Sequence, residues 1–556
     1  MPDPESQRLF NPARTSTESA DDLEDEESVV CCSSVLTYRK RDQRTLCAYF
    51  AGVLVLIIFA FSIARVLYPM TEKPLRRNVI MMVSDGFGPA SETFARNYHT
   101  YINDLPYDSQ LPLDTILVGS SRTRSSSSLV TDSAAGATAF SCGLKSYNGA
   151  IGVDPSGKPC GTVLEAAKLA GYTTGLVVTS RITHATPASF ASHAIHRDQE
   201  NEIALQEIGN YTLGRMTDLM FGGGQCHFLP NTDANSCRQD SIDVFERAKD
   251  FGWHVGTTRQ DFDNLNASNA KLPLMLLFTR DHMSYEIDRD PAKEPSIKES
   301  VLKALSILTS STENSDKGFF LLIEGSRIDM AAHSNDAATH VHEILAYNEM
   351  VQEVIGYVNA HPGTVMISVS DHETGGFSVA KQVDSASYPE YLWKPEALVN
   401  VTRSSEKISA DLAAYNGQNR TEFVKTVVLE QWLGVHDYTE QEVQKLAQPG
   451  LLPSQIENIL SPIISDRAQL GWATHGHSAV DVNLYAHGAN SDALRGNHEN
   501  IEIGHFITNF LSLDLASVTK TLSSMVLPPF NRTNMATTAV PFEPIHHHHQ
   551  SLIKQH

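Results

Sequence analysis

Basic residues are in short supply: 43 lysines and arginines face 65 aspartates and glutamates among 556 residues, a net charge of −22. An acidic surface repels polyanions, which excludes holding DNA or RNA as a main role, although one local cationic group can still grip a single phosphate. Charged residues are only 19% of the chain, whereas apolar residues are 41%, too many for wholesale disorder. Cysteine is sparse, with seven in all, and no repeat at a fixed period is visible. Residues 1–45 have too few apolar side chains to build a core and carry the acidic run Asp21–Glu27, so they read as a disordered cytoplasmic tail.

One long uncharged run breaks the pattern. Leu46–Ala64, with Val66, Leu67 and Tyr68, is long enough to cross a hydrocarbon layer of roughly 30 Å as a helix. The polar residues ahead of it rule against a signal peptide, so residues 46–68 are expected to be a retained transmembrane anchor. Arg39, Lys40, Arg41 and Arg44 place the N-terminus in the cytoplasm, with Lys73, Arg76 and Arg77 on the far side weakening that signal. The glycosylation candidates Asn210, Asn266, Asn400, Asn419 and Asn531 all follow the span, on the side where a glycan is added if that side is luminal. Cys142, Cys160, Cys226 and Cys237 fall on the same, oxidising side. Short separations favour Cys142 with Cys160 and Cys226 with Cys237, but four cysteines allow three pairings. Cys31 and Cys32 read equally as palmitoylation sites or free thiols. Residues 69–524 are the expected luminal catalytic domain and 525–556 a flexible tail, whose Ile545–Gln550 segment holds four histidines.

From residue 78 the pattern is that of an α/β domain. Short branched runs, Asn78–Ser84, Thr173–Ser180, Gly318–Glu324 and Thr364–Ser370, alternate with helical segments. Continuous apolar strands suit a sheet covered on both faces. What ends these strands matters most: Asp85 follows the first, Arg181–Thr186 the second, Glu324 closes the third, and Asp371 with His372 follows the fourth. Ligands of open α/β sheets bind beyond the carboxyl ends of the strands.

A single aspartate there is often only a helix cap, but this set is harder to dismiss. Asp329 and His333 are four apart, so a helix would project both from one face, with Glu324 one step back. Asp371 and His372 add a second carboxylate and imidazole, a donor combination that zinc accepts. Asp85 is followed by Gly86 and Gly88, which let the backbone turn tightly behind it. Burying so many carboxylates without cations is costly. Ser133 opens a run of small helix-favouring residues that Asp132 or Thr131 can cap, and helix N-termini attract anions. Alone it would be an ordinary helix start; its case rests on its company. The string does not fit the G-x-S-x-G nucleophile elbow.

Taken in order, SDGFG, TDSAAGATA, HATPASF followed by HAIHR, EGSRIDMAAH, SDHETGGF and THGHSAVDV resemble the motif set of the alkaline phosphatases over residues 78–490. The anchor with a cytoplasmic N-terminus further resembles the fungal vacuolar members. The resemblance implies a three-layer α/β sandwich with a central, mostly parallel sheet, preceded by one transmembrane helix. It implies two Zn2+ and one Mg2+ per subunit, with Asp329, His333 and His477 on one zinc and Asp371, His372 and Asp85 on the second. Asp85, Thr186 and Glu324 match the magnesium site. Ser133 matches the nucleophile that becomes phosphorylated, and Arg197 the side chain that grips phosphate. His475 rivals His477, which is preferred because Asp481-Val482 follow it after three residues, as in the family. His184 departs from the bacterial members, which carry Asp at that position; an imidazole there is expected to weaken magnesium retention. The family further implies a homodimer, a broad range of small phosphate monoesters with phosphorylated peptides among the candidates, and, through its fungal branch, the vacuolar membrane. A sulfatase would need a C-x-P-x-R nucleophile motif, absent around Ser133, and diesterases of the superfamily favour Thr there. No motif position is lost, which argues against a catalytically dead binding protein. Residues 225–315 and 380–470 carry no motif and are expected to form loops around the site and a dimer contact.

Overall fold

The computed structural model describes residues 48–59 and 75–530. The chain divides into two units, Met1–Lys73 and Pro74–His556. In the first, residues 48–59 form a helix with exposed side chains. The rest of the expected 46–68 anchor lies outside the described residues, as do the 1–45 tail, Asn531 and Ile545–Gln550. No described helix is long and apolar enough to cross a membrane.

The second unit is built on strands β1 (Asn78–Ser84), β2 (Leu117–Arg122), β3 (Thr173–Arg181), β4 (Leu219–Gly223), β5 (His254–Gly256), β6 (Leu274–Leu277), β7 (Phe319–Gly325) and β8 (Thr364–Val369). Two-residue strands follow as β9 (Glu373–Thr374), β10 (Ser378–Val379), β11 (Leu470–Gly471) and β12 (His477–Ser478), then β13 (Val482–Gly488) and β14 (Gly496–Glu499). Ten of these make one sheet in the order β14-β2-β13-β8-β1-β7-β3-β4-β6-β5. Only β13 runs against its neighbours β2 and β8; the other pairings are parallel.

The apolar runs form strands because successive side chains enter opposite cores. Ile80 and Met82 of β1 join Phe319, Leu321 and Ile323 of β7 in one apolar cluster, while Val79, Met81 and Val83 join Phe320 and Leu322 in the other. Helices therefore cover both faces, the layering expected of such a sheet. The four strands legible in the sequence are contiguous at its centre, as β8-β1-β7-β3. Since these four are parallel, Asp85, Arg181, Glu324 and Asp371 all emerge at one edge.

Residues 225–315 and 380–470 are not simply loops. The first stretch supplies β5 and β6 at the sheet's edge and the helix Ile297–Ser311, started by a reciprocal Ser296–Glu299 cap. The second holds the helices Ser405–Ala414, Glu440–Leu446 and Pro453–Ala468. In the last, Ile456, Leu460, Ile463 and Ile464 recur at helical spacing and are buried. Of the three cysteine pairings, the fold realises Cys142–Cys160 and Cys226–Cys237. Cys142 ends the helix that Ser133 begins, so the first bridge pins that helix at its far end.

Candidate metal centre

Ser133 is the first residue of the helix Ser133–Cys142, capped by Asp132, whose carboxylate accepts from the Ala135 N–H at 3.0 Å. The helix approaches the sheet edge closely because Gly136 faces Asp371: a Cβ at Gly136 would sit 2.9 Å from the Asp371 Cβ. On the other side, Gly86 has φ +73°, and a Cβ there would fall 2.6 Å from the Asp329 Cα. Glycine at both places brings three ligand-bearing segments within reach of one another.

Asp329 and His333 lie on the helix Arg327–His333, one turn apart, with His333 Nε2 3.3 Å from Asp329 Oδ2. His477 Nε2 is 3.6 Å from Asp329 Oδ1 and 3.1 Å from His333 Nε2. His372 Nε2 lies 3.1 Å from Ser133 Oγ, 3.5 Å from Asp85 and 3.4 Å from Asp371. The ligand atoms of Asp329, His372 and His477 fall within 4.8 Å of one another, as do those of Asp85, Asp371 and His372, and those of Asp85, His184 and Glu324. Thr186 is fully buried, and its hydroxyl has no hydrogen-bond partner. His184, expected only beside the third group, brings a ring nitrogen into it.

The three inner imidazoles are oriented alike. His333 donates from Nδ1 to the His475 carbonyl, and His477 Nδ1 donates to the Thr131 carbonyl at 2.7 Å. His372 Nδ1 lies 3.2 Å from the Thr374 hydroxyl. Each ring thus turns its Nε2 inward, the arrangement in which a second partner on Nδ1 orients a metal-binding histidine. His475 itself faces away from the group, its Nδ1 on the His333 carbonyl at 2.7 Å. Of the two rival histidines, His477 is the one that places a ring nitrogen among the carboxylates.

The charge in this space is unbalanced. Both oxygens of Asp85, one of Asp371 and one of Glu324 are buried with no hydrogen-bond partner. Burial first, then Asp371, Asp329 and Glu324, hold the Asp85 carboxyl well above the usual carboxylate range. Burial pushes Glu324 up to about 7 against the hydroxyls of Ser326, Thr186 and Ser180, and burial together with Asp329 pushes Asp371 up to about 7. Asp329 goes the other way: burial opposes it, but His333, His477 and His372 hold it well below its ordinary value. Burial pushes His477 down to about 4 and holds His372 well below its ordinary value, whereas in His333 burial is outweighed by Asp329, which raises it. Orphaned carboxylate oxygens facing imidazole nitrogens are the donor set that divalent cations complete. The residues present therefore fit zinc and magnesium.

Arg197 lies next to the third group, against His184. Its guanidinium donates to Asp132 at 3.3 Å and to His184 Nε2 at 3.1 Å. Because guanidinium has no lone pair, His184 must accept through Nε2 and carry its proton on Nδ1. Sequence reasoning gave Asp132 no task beyond capping; its hold on Arg197 depends on a contact across 65 residues that spacing does not reveal. A further group, Cys226, His227 and Cys237, has metal-type side chains, but its sulfurs form a disulfide and cannot serve as thiolate ligands. Asn210, Asn266, Asn400 and Asn419 are all exposed.

A sequence profile described as "Alkaline phosphatase" matches residues 76–513. The chain is 46% identical over 522 residues to the repressible alkaline phosphatase of Saccharomyces cerevisiae, covering 89% of this chain and 92% of that one. It is 49% identical over 453 residues to an alkaline phosphatase of Schizosaccharomyces pombe, covering 81% and 84%. The crystal structure of Thermus thermophilus alkaline phosphatase superimposes with a TM-score of 0.68 at 29% identity, covering 79% of this chain and 92% of that one.

Proposed function

The chain belongs to the alkaline phosphatase family, and from that premise we propose that phosphate monoesters are hydrolysed at this buried cluster, through Ser133. Metal dependence is general to the family. The observation that carries the assignment to these residues is the convergence of Ser133 with unpartnered carboxylate oxygens and inward-facing imidazole nitrogens. Asp329, His333 and His477 would hold one zinc; Asp85, Asp371 and His372 the second; Asp85, Thr186 and Glu324, with His184 beside them, a magnesium. Cations bound there neutralise the carboxylates and, as Lewis acids, lower the pKa of a hydroxyl or water next to them.

The chain's own groups do the rest. Arg197, braced by Asp132 and His184, presents two parallel donors to the equatorial oxygens of the ester's phosphoryl group. Ser133, fixed at the helix start, attacks phosphorus in line as the alcohol departs, giving a phosphoserine. Ser133 stands at the N-terminus of its helix, whose partial positive charge favours the same anion. Water then attacks the phosphoserine from the side the alcohol left, releasing inorganic phosphate and restoring the hydroxyl. Placement and charge alignment supply most of the rate, since phosphoryl transfer leaves little covalent work to the protein. Recognition falls on the phosphate, which supports a broad range of small monoesters and extends to phosphorylated peptides.

Residues 46–68 fit a single membrane anchor with a cytoplasmic N-terminus, and the exposed Asn210, Asn266, Asn400 and Asn419 fit a glycosylated luminal domain. We further propose a vacuolar membrane location, from the motif and anchor resemblance to fungal members, and a homodimer, from the family resemblance. The test is elemental analysis of the purified protein alongside phosphate release from a generic monoester. Two zinc and one magnesium per chain, with release abolished by a chelator, is the expected result; release without bound metal would sink the reading.

A further inference from the structure

Thr374 has no part in the scheme above, yet it touches each segment that bears a proposed zinc ligand. Its backbone N–H donates to the Gly86 carbonyl at 3.2 Å, one residue past Asp85. Across the β9–β12 ribbon it is the direct partner of His477. Its hydroxyl, fully buried, donates to Asp329 Oδ1 and lies 3.2 Å from His372 Nδ1.

A hydroxyl has a single proton to give. With that proton on Asp329, the ring of His372 has to donate from Nδ1, which leaves the Nε2 lone pair facing Ser133, Asp85 and Asp371. In the opposite tautomer Nδ1 would claim the threonine proton and Asp329 would lose its donor. His333 and His477 are oriented by backbone carbonyls, which no substitution removes. Among the three inner histidines, His372 alone has its Nδ1 held by a side chain.

We propose that Thr374 is a positioning residue that couples the two zinc sites: one hydroxyl orients Asp329 in the first and sets the tautomer of His372 in the second. This rests on the zinc assignment made above. The test strips wild type, Thr374→Val and Thr374→Ser with a chelator and titrates each with zinc against a chromogenic competitor. Valine keeps the branched shape and loses the hydroxyl; serine keeps the hydroxyl. Loss of a partner that orients a metal ligand lowers affinity by about 10- to 100-fold, so Thr374→Val is expected to bind zinc that much more weakly, with Thr374→Ser close to wild type. If the valine variant does not fold, alanine takes its place in the comparison. Zinc affinity unchanged in the variant lacking the hydroxyl, or a serine variant as weak as that one, overturns the proposal while leaving the site assignment intact. A wild type that takes up no zinc overturns both.

Discussion

Stripping the protein of divalent cations is predicted to make its stability, relative to the cation-loaded form, fall as pH rises. The lowered His477 and His372 act in the opposite sense below about pH 6.5 but are neutral in both forms and drop out of that comparison. The ordinary value of the Glu324 carboxyl, 4.5, is raised to about 7 by burial, which corresponds to about 3 kcal/mol. The sign follows from which form the fold favours. A carboxyl raised on folding contributes stability that is complete below about pH 4.5 and is lost as pH passes through about 7. Asp371, raised from 3.8 to about 7 by burial and Asp329, acts in the same direction. For a domain spanning residues 75–530, average unfolding entropies give a shift of about 1 °C per kcal/mol. Bound cations compensate the same charges, so the reloaded protein escapes the loss. Glu92 and Glu457, each pushed up to about 8 by burial, and Glu343, at about 7, sit outside the cluster and titrate in both forms, so they cancel in the comparison. The assay is the melting temperature of stripped and reloaded protein at one scan rate from pH 5 to pH 8.5. The gap between them is predicted to widen by roughly 3 °C or more. A gap that stays constant or narrows refutes the claim that these carboxylates are buried against bound cations.

Arg197→Ala removes charge-assisted bonds to phosphate, so the inhibition constant for inorganic phosphate is predicted to rise about 10- to 100-fold while zinc content holds; loss of zinc together with phosphate affinity would count against its role. His475→Ala is predicted to keep zinc, because that residue serves His333 through its backbone carbonyl, whereas His477→Ala loses it; equal zinc content in the two would refute the choice between them. His184→Asp adds a negative charge next to Asp85 and Glu324 and is predicted to retain more magnesium through gel filtration than wild type, a difference that elemental analysis reads directly. Ser133→Ala is predicted to lower turnover by at least about a thousandfold, measured by phosphate release with cations in excess.

How far the sequence discloses this molecule depends on burial. The central strands β8, β1, β7 and β3 are covered on both faces, so each is a continuous apolar run, legible to within a residue or so. β5 and β6, three and four residues long at the sheet's edge, are too short to carry a pattern. Asp85, Glu324, Asp329, His333, Asp371 and His372 were legible as candidate ligands because they sit at or just past strand ends or one helical turn apart, a matter of local spacing, whereas His477 and Thr186 were picked out only by resemblance to the family's motifs. Thr374 and Asp132 were not, since the first acts by bridging β9 to the Asp329 helix and the second by reaching Arg197. Those contacts are long-range, and nothing in SDHETGGF or TDSAAGATA separates such a residue from an ordinary strand or cap position. The Ala-rich helix after Ser133 is a similar case: its small residues read as propensity, while the structure shows that Gly136 is there to let the helix meet Asp371.

The most direct test is acid-quenched peptide mapping by mass spectrometry after a brief exposure of the holoprotein to a phosphate monoester. A phosphoryl group on the peptide containing Ser133, present with zinc and magnesium bound and gone once a chelator has been added, is the predicted result. Full turnover with Ser133 never modified, or the same modification in protein free of metal, would contradict the account.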